Sequence, residues 1–223
     1  MNTIKKGQIF PNRVVIAGFT ALLLATFILS WIIGSNQRLA ILIVILKIVG
    51  FAASFLLILG ELGHPLFDAI CPKWEKIDCH AVMKSPASKL FGLIPMADIG
   101  GIYFSGGIIL ICFSVVNPHF FNQVYLLGIL NLLTLPYTIF SLLYQVFVVK
   151  YFCFLCLIVQ MVFWLEFSQF YSFVFAGFPR FTAADFLPFI WAFGLPLFAW
   201  LFFRPLIKKA VAADNKLREK TDQ

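Results

Sequence analysis

Apolar segments of membrane-spanning length recur along this chain and leave few folds open to it. A helix needs about 20 apolar residues to cross a hydrocarbon core about 30 Å thick. Of the 223 residues, 61% are hydrophobic and only 12% are charged, whereas a soluble domain is about 25% charged. One soluble core could not bury so much apolar surface, which excludes a soluble enzyme, a nucleic-acid-binding protein and a disordered tail. The sequence predicts an all-α, polytopic membrane protein.

About six apolar segments are candidates for membrane-spanning helices. Most are joined by short polar breaks, which favour antiparallel neighbours in a bundle. The first follows three basic residues, as a secretory signal does, but its apolar run exceeds the roughly 7–15 residues of such signals, so we expect a retained helix. The segments comprise residues 14–33, 39–60, 93–116, 120–149, 151–166 and 186–203.

The segments divide the chain into three parts. Residues 1–38 carry the extra first helix, residues 39–203 form the main membrane domain, and residues 204–223 form a charged tail. Between the helices, only residues 61–92 form a long stretch that mixes acidic and basic side chains. We therefore expect the chemistry of the protein to lie in or near that stretch.

Four of the five cysteines form two pairs with different surroundings. Cys71 and Cys79 lie in the long polar stretch, and Cys153 and Cys156 form a Cys-x-x-Cys motif at the start of an apolar segment. Residues three apart share one side of a helix, so the second pair can close a disulfide. The helix dipole favours a thiolate at Cys153, while Cys156 lies one turn deeper, nearer the lipid. Two such pairs are the minimum for a thiol–disulfide relay between a water-soluble and a lipid-soluble partner.

Other readings of the cysteines remain open. Cys112 stands alone in an apolar segment, where a thiol is usually a small packing residue. A metal site made of the four paired thiolates, with help from His64 or His80, is the alternative to the relay. That alternative would make the protein a non-enzymatic membrane scaffold or transporter subunit. The cysteine spacing argues against this alternative, because Cys71 and Cys79 are too far apart in the sequence to form a second short metal-binding motif like Cys-x-x-Cys.

This pattern resembles the vitamin K epoxide reductase family over about residues 39–203. That family carries two loop cysteines, a serine shortly after the second one, and a Cys-x-x-Cys motif that opens a later helix. Here Cys71, Cys79, Ser85, Cys153 and Cys156 match those positions in the same order. The other family of quinone-linked, disulfide-forming membrane proteins places its Cys-x-x-Cys motif first, so the order favours the first family.

The resemblance implies a four-helix bundle around a quinone, followed by one further helix. It implies that electrons from a separate thioredoxin-like protein enter at a Cys71–Cys79 disulfide. Cys79 and Cys153 would form a transient bond, and Cys156 would pass the electrons to the quinone. Ser85 would polarise a quinone oxygen or activate a thiol. The quinone could be of the menaquinone, ubiquinone or phylloquinone type.

Two positions depart from the family pattern. Gln160 stands where animal members have a tyrosine four residues after the second helix cysteine, and Ser88 stands where the family has an asparagine. Both positions are linked to quinone contact in the family. The resemblance therefore implies a quinone site formed by Cys156, Ser85, Ser88 and Gln160.

Charged and aromatic residues near these segments give weaker signals. The charges of Lys47, Asp98 and Glu166 would be energetically costly in the middle of a membrane, which makes these residues functional candidates. Asp98 and Glu166 lie near segment ends, however, where we expect interfacial snorkelling or capping. Trp74 could cover the quinone site or anchor at the interface. His80 could lower the pKa of the neighbouring Cys79 thiol or simply be solvated.

The distribution of positive charge conflicts with the expected chemistry. We call the polar stretch of residues 61–92 the cysteine loop. With six spanning helices, 14 of the 17 lysine and arginine residues fall on the side of this loop, and the exceptions are Arg38, Lys47 and Arg180. The positive-inside rule places that side in the cytoplasm, whereas disulfide formation needs an oxidising compartment. We favour a loop on the exoplasmic side of a bacterial inner membrane.

Overall fold

A computed structural model shows the fold of most of the chain. The predicted first helix, residues 14–33, and Trp74 lie outside the part that it describes. The described residues are 36–71, 77–90, 92–114, 120–175, 177 and 181–221.

The described chain is almost entirely helical, with five long helices and small elements between the first two of them. Five helices are long and apolar enough to cross a membrane, which confirms the prediction of an all-α, polytopic membrane protein. In chain order the elements are α1 (Asn36–Glu61), α2 (Pro65–Ile70), α3 (Cys79–Met83), a 3₁₀ turn (Pro86–Ser88), β1 (Lys89–Leu90), β2 (Ile94–Pro95), α4 (Met96–Ser114), α5 (Phe120–Tyr144), a π-helical turn (Gln145–Val149), α6 (Phe154–Phe175) and α7 (Ala183–Thr221).

Helices α1, α4, α5 and α6 form a bundle, and α7 lies outside it. Helix α1 packs against α4 and α6, α6 packs against α5, and α7 packs mainly on α4. Gly106 of α4 makes room for α7, since a Cβ there would lie 2.6 Å from Cδ1 of Phe193. Large apolar side chains on the outer surface, such as Leu133 and Phe198, are more than two thirds exposed, as expected of a surface that faces lipid.

Short elements between α1 and α4 lie over one end of the bundle. His64 caps α2 by accepting a hydrogen bond from the backbone N–H of Leu66 at 3.1 Å. Asp78 caps α3 in the same way through the N–H of Ala81 at 3.0 Å. Side-chain oxygens and ring nitrogens at these positions satisfy backbone donors that a helix start leaves unpaired. The caps therefore fix where the cysteine loop turns.

The last helix is longer than its apolar sequence indicates. The sequence predicted a span over residues 186–203, but α7 runs from Ala183 to Thr221 and contains three prolines. Hydropathy marks only the part of a helix that prefers lipid, so it gives no signal where a helix continues into water with charged residues. The helix extends about 58 Å at 1.5 Å per residue, well beyond the membrane core.

Candidate active site

The structure brings three of the paired cysteines together at the loop end of the bundle. Cys71 and Cys79 form a disulfide, while Cys153 and Cys156 are free thiols. Cys71, Cys79 and Cys153 belong to one buried apolar cluster, against which Cys156 packs. The loop pair and the helix pair, 74 residues apart between Cys79 and Cys153 in the sequence, are thus neighbours in the fold.

A backbone contact holds the loop against the start of α6. Ile77 and Phe152 form an isolated parallel β-bridge, and the N–H of Asp78 donates to the carbonyl of Phe152 at 3.1 Å. Asp78 directly precedes Cys79, and Phe152 directly precedes Cys153. The bridge therefore sets the approach of the two cysteine pairs.

Cys153 occupies the capping position just before α6. Its sulfur accepts a hydrogen bond from the backbone N–H of Cys156 at 3.4 Å, and its own N–H donates to Oε1 of Gln145 at 3.0 Å. The hydrogen bond with the Cys156 thiol lowers the pKa of Cys153, and backbone N–H groups of Cys156 and Leu155 act in the same direction against the effect of burial. Stabilisation of the thiolate suits Cys153 to attack a disulfide.

A cavity of about 580 Å³ opens beside the helix pair. This volume lies within the range of about 300–1,000 Å³ that is typical of small-molecule sites. The walls are predominantly apolar and come from the loop, from α1, α4, α5 and α6, and from Phe193 of α7. Cys156, Ser85, Ser88 and Gln160, the four residues of the predicted quinone site, all line this one cavity.

The polar groups of the predicted site already have partners in the protein. The Ser85 hydroxyl donates to the carbonyl of Val82 at 2.6 Å, and the Ser88 hydroxyl donates to the carbonyl of Met83 at 2.6 Å. Gln160 donates through Nε2 to Oγ of Ser141 at 3.0 Å. In this geometry the serines hold the loop in shape, and each would have to rotate its hydroxyl to donate a hydrogen bond to a ligand.

Sequence reasoning missed a polar stripe on α5 and the turn after it. Four residues that the sequence analysis did not single out line the cavity, and they are spaced by four, three and four positions. Such spacing places side chains on one face of a helix, so the signal was present in an otherwise apolar segment. The stripe consists of Thr134, Thr138, Ser141 and Gln145.

The remaining candidates do not join the cavity. Cys112 is exposed, near the far end of α4. His80 is partly exposed and pairs with Asp68, with 2.6 Å between Nε2 and Oδ1, and His64 caps α2. Within the described ranges, no three histidine, cysteine, aspartate or glutamate side chains are grouped as a metal site requires, and the disulfide occupies two of the four thiolates in the alternative metal site.

Comparison with known families agrees with the motif. The model of the vitamin K epoxide reductase family matches residues 41–169, which is more than half of the chain and includes both cysteine pairs. The chain belongs to this family. As a member of the vitamin K epoxide reductase family it is an oxidoreductase, and its five candidate spans make it an integral membrane protein. Neither the curated proteins nor the solved structures contain a match to the chain. Helix α7 lies beyond the matched residues.

Proposed function

We propose that this protein is an integral-membrane thiol–quinone oxidoreductase that supports disulfide formation. In this proposal it oxidises a separate thioredoxin-like protein through its two cysteine pairs and passes the electrons to a membrane quinone. The observation that carries the proposal is the position of the helix pair. Cys153 packs in the cluster that contains the Cys71–Cys79 disulfide, while Cys156 lines the cavity.

The first half of the cycle takes place at the loop. A dithiol on the partner reduces the Cys71–Cys79 disulfide, so that the partner leaves with a disulfide and the loop holds two thiols. Cys79 then attacks Cys153 of an oxidised helix pair, and a Cys79–Cys153 bond replaces the Cys153–Cys156 bond. Attack by Cys71 on Cys79 restores the loop disulfide and leaves two thiols on the helix pair.

The redox state of the structure corresponds to the end of that half-cycle, with the loop pair oxidised and the helix pair reduced. A bound quinone supplies the acceptor for two electrons and two protons. Cys156 faces the cavity and is the residue placed to deliver the electrons, while Cys153 closes the new disulfide with it. The two thiol protons balance the two protons that the reduced acceptor gains.

The residues around the cavity fit a quinone headgroup. An apolar wall suits a hydrophobic ring, and a few polar groups fix its orientation. Gln160 and Ser141 line the cavity together with Cys156, and they offer an amide and a hydroxyl to a carbonyl oxygen. Ser85 and Ser88 line the same cavity from the loop, and their hydroxyl oxygens keep lone pairs that can accept, while each could donate to a ligand after rotation.

The proposal is tested by quinone reduction with purified protein in detergent and a dithiol as the electron donor. Cys79→Ala and Cys156→Ala should each lower turnover by at least about 10³-fold, since a relay that lacks one member cannot complete its cycle. Cys112→Ala is the matched control, because Cys112 is an exposed, unpaired cysteine, and it should turn over like the wild type. Normal turnover in Cys79→Ala or Cys156→Ala would reject the proposal.

A trapped intermediate gives an independent test. Cys71→Ala should accumulate a Cys79–Cys153 bond, because Cys79 can attack the oxidised helix pair but the thiol that would release Cys153 by attacking Cys79 is missing. Acid quenching followed by disulfide mapping with mass spectrometry would detect the bond. Quantitative alkylation of both residues in the same sample, with no linked peptide, would contradict the relay.

A further inference from the structure

A buried ion pair joins α1 to α6 inside the bundle. Nζ of Lys47 lies 2.8 Å from Oε2 of Glu166, and both side chains are 0% exposed. Glu166 is therefore buried and paired inside the bundle, and the expectation that it snorkels or caps a helix end is wrong. A buried ion pair is often no more stabilising than apolar residues of the same volume, and ionisable groups within a membrane usually mark a function. The relay described above uses neither residue.

Two further helices contribute to the same network. The Tyr103 hydroxyl of α4 donates to Oε2 of Glu166 at 2.8 Å. Asn131 of α5 donates through Nδ2 to Oε2 of Glu166 at 3.2 Å and to the Tyr103 oxygen at 3.2 Å. Nζ of Lys47 also lies 3.5 Å from the centroid of the Tyr103 ring. Tyr103 is thus fixed both through its hydroxyl and through one face of its ring.

The fixed ring forms part of the cavity wall. Tyr103 and Phe163 both line the cavity, and their ring centroids are 4.8 Å apart. Phe163 follows Cys156 by seven residues on α6, which corresponds to about 10 Å along the helix axis. The aromatic pair therefore lines the cavity about two helical turns beyond Cys156, in the direction in which α6 runs.

We propose that Tyr103 is a specificity-determining residue that limits how far a quinone headgroup enters the cavity, and that Glu166 and Lys47 are positioning residues that hold the Tyr103 ring. This inference rests on the proposed function, because the headgroup is that of the quinone acceptor. An anchored ring discriminates between headgroups of different size, whereas a ring that can rotate or shift yields to a larger one. The ion pair and its hydrogen bonds remove that freedom.

Three changes at the network separate anchoring from general stability. Tyr103→Phe keeps the ring but removes the hydroxyl that donates to Glu166. The double variant Lys47→Met/Glu166→Gln removes both charges but retains an acceptor for the Tyr103 hydroxyl, whereas Lys47→Met/Glu166→Met removes the acceptor as well. Neither double variant leaves a buried charge without a counter-ion. Tyr125→Phe is the matched control, since Tyr125 is also buried, with 4% exposure, but does not line the cavity.

The measurement is dithiol-driven reduction of a one-ring benzoquinone and a two-ring naphthoquinone with matched side chains. The ratio of kcat/KM for the two-ring over the one-ring quinone should rise about threefold in Tyr103→Phe and in Lys47→Met/Glu166→Met, and about tenfold in Tyr103→Ala, magnitudes typical of small changes in a binding pocket. The ratio should stay within about twofold of the wild type in Tyr125→Phe. Lys47→Met/Glu166→Gln keeps the acceptor for the Tyr103 hydroxyl but loses the cation over its ring, so its ratio should lie between those of the wild type and Lys47→Met/Glu166→Met.

The outcomes distinguish this inference from the proposed function. Wild-type turnover with an unchanged ratio in Tyr103→Phe and Lys47→Met/Glu166→Met would overturn the inference alone. An equal shift in Tyr125→Phe would also overturn it, because the effect would then be a general loss of packing. Failure of the wild type to reduce either quinone would remove the proposed function and this inference with it. Tyr103→Phe keeps the ring and its packing, so the test stands even if Tyr103→Ala does not fold.

Discussion

Cys153 is placed between the loop disulfide and the sulfur that faces the cavity. Its own sulfur accepts from the N–H of Cys156, and its N–H is fixed by Gln145. The thiol itself is 0% exposed, so it is reached by its protein neighbours rather than by a reagent from solution. Burial alone would disfavour a thiolate, and the hydrogen bonds around the sulfur reverse that effect.

The thiolate of Cys153 should therefore persist to lower pH than that of an unperturbed cysteine, whose pKa is about 8.5. The group is charged above its pKa and loses its charge as the pH falls through it, so a lowered pKa extends reactivity toward acid. Because hydrogen bonding with the Cys156 thiol is the largest cause of the shift, Cys156→Ala should move the Cys153 titration to higher pH. The ultraviolet absorbance of the thiolate reports the titration without requiring access to the sulfur.

Two controls make that titration specific. Subtraction of the Cys153→Ala/Cys156→Ala protein from each titration isolates the thiols of the helix pair, which in Cys156→Ala is Cys153 alone. Cys112→Ala should leave the Cys153 titration unchanged because Cys112 is exposed on another helix. A Cys153 titration that is identical in wild type and Cys156→Ala would show that the two thiols do not interact.

At the scale of helices, α1 and α4 approach closely where α4 presents glycine. A Cβ at Gly107 would lie 2.5 Å from Cε of Lys47, the residue that forms the buried ion pair. A Cβ at Gly101, two turns earlier on the same helix, would lie 3.5 Å from Cδ1 of Ile58, which is an ordinary contact. The two positions therefore differ in the space available and not in the kind of helix around them.

Gly107→Ala should lower stability by about 1–3 kcal/mol, because the new methyl group forces the Lys47 side chain away from Glu166. Gly101→Ala is the matched control and should be neutral or stabilising by up to about 1 kcal/mol, since alanine favours a helix more than glycine does. Thermal unfolding of the purified proteins in detergent measures both. Equal stability of the two variants would mean that Lys47 can move aside without loss of its ion pair.

Hydropathy and cysteine spacing predicted much of the fold and of the candidate site, for identifiable physical reasons. Long apolar runs predicted the described spans, and the Cys-x-x-Cys motif predicted a pair at the start of a helix. The partner of Glu166 was not predictable, because Lys47 lies 119 residues away in the sequence and only the packing of α1 on α6 joins them. The stripe that includes Ser141 and Gln145 was readable from its helical spacing, but it was masked by the high apolar content of the segment.

At the scale of the whole molecule, α7 brings its charged end to the side of the cysteine loop. Nε of Arg204 lies 2.8 Å from Oδ2 of Asp98, and Nη2 lies 3.7 Å from Oε2 of Glu61 at the end of α1. Two carboxylates thus compensate the Arg204 charge locally, which weakens it as a signal for orientation. Lys208 and Lys209 follow on the same helix and still favour a cytoplasmic loop under the positive-inside rule.

Single cysteines introduced in a Cys112→Ser background test the orientation in intact cells. We expect an impermeant maleimide to label Lys84→Cys and Lys209→Cys from outside, because both residues are exposed and lie on the loop side, which the proposed chemistry places in an oxidising compartment. Ala184→Cys, exposed at the opposite end of α7, should be labelled only after the cells are permeabilised. The parent protein without an introduced cysteine gives the background from the four paired cysteines.

The reverse labelling pattern would place the cysteine loop in the cytoplasm, in agreement with the charge distribution, and the redox partner would then have to be a cytoplasmic protein. Labelling of Lys84→Cys and Lys209→Cys from different sides would contradict the arrangement of α7 itself, since one helix crossing joins Ala184 to the residues beside Glu61. If both positions are labelled from outside, the positively charged loop side lies outside the cell, contrary to the usual preference of basic residues for the cytoplasm. The ion pairs of Arg204 with Asp98 and Glu61 favour this placement, because they neutralise positive charge where α7 leaves the membrane.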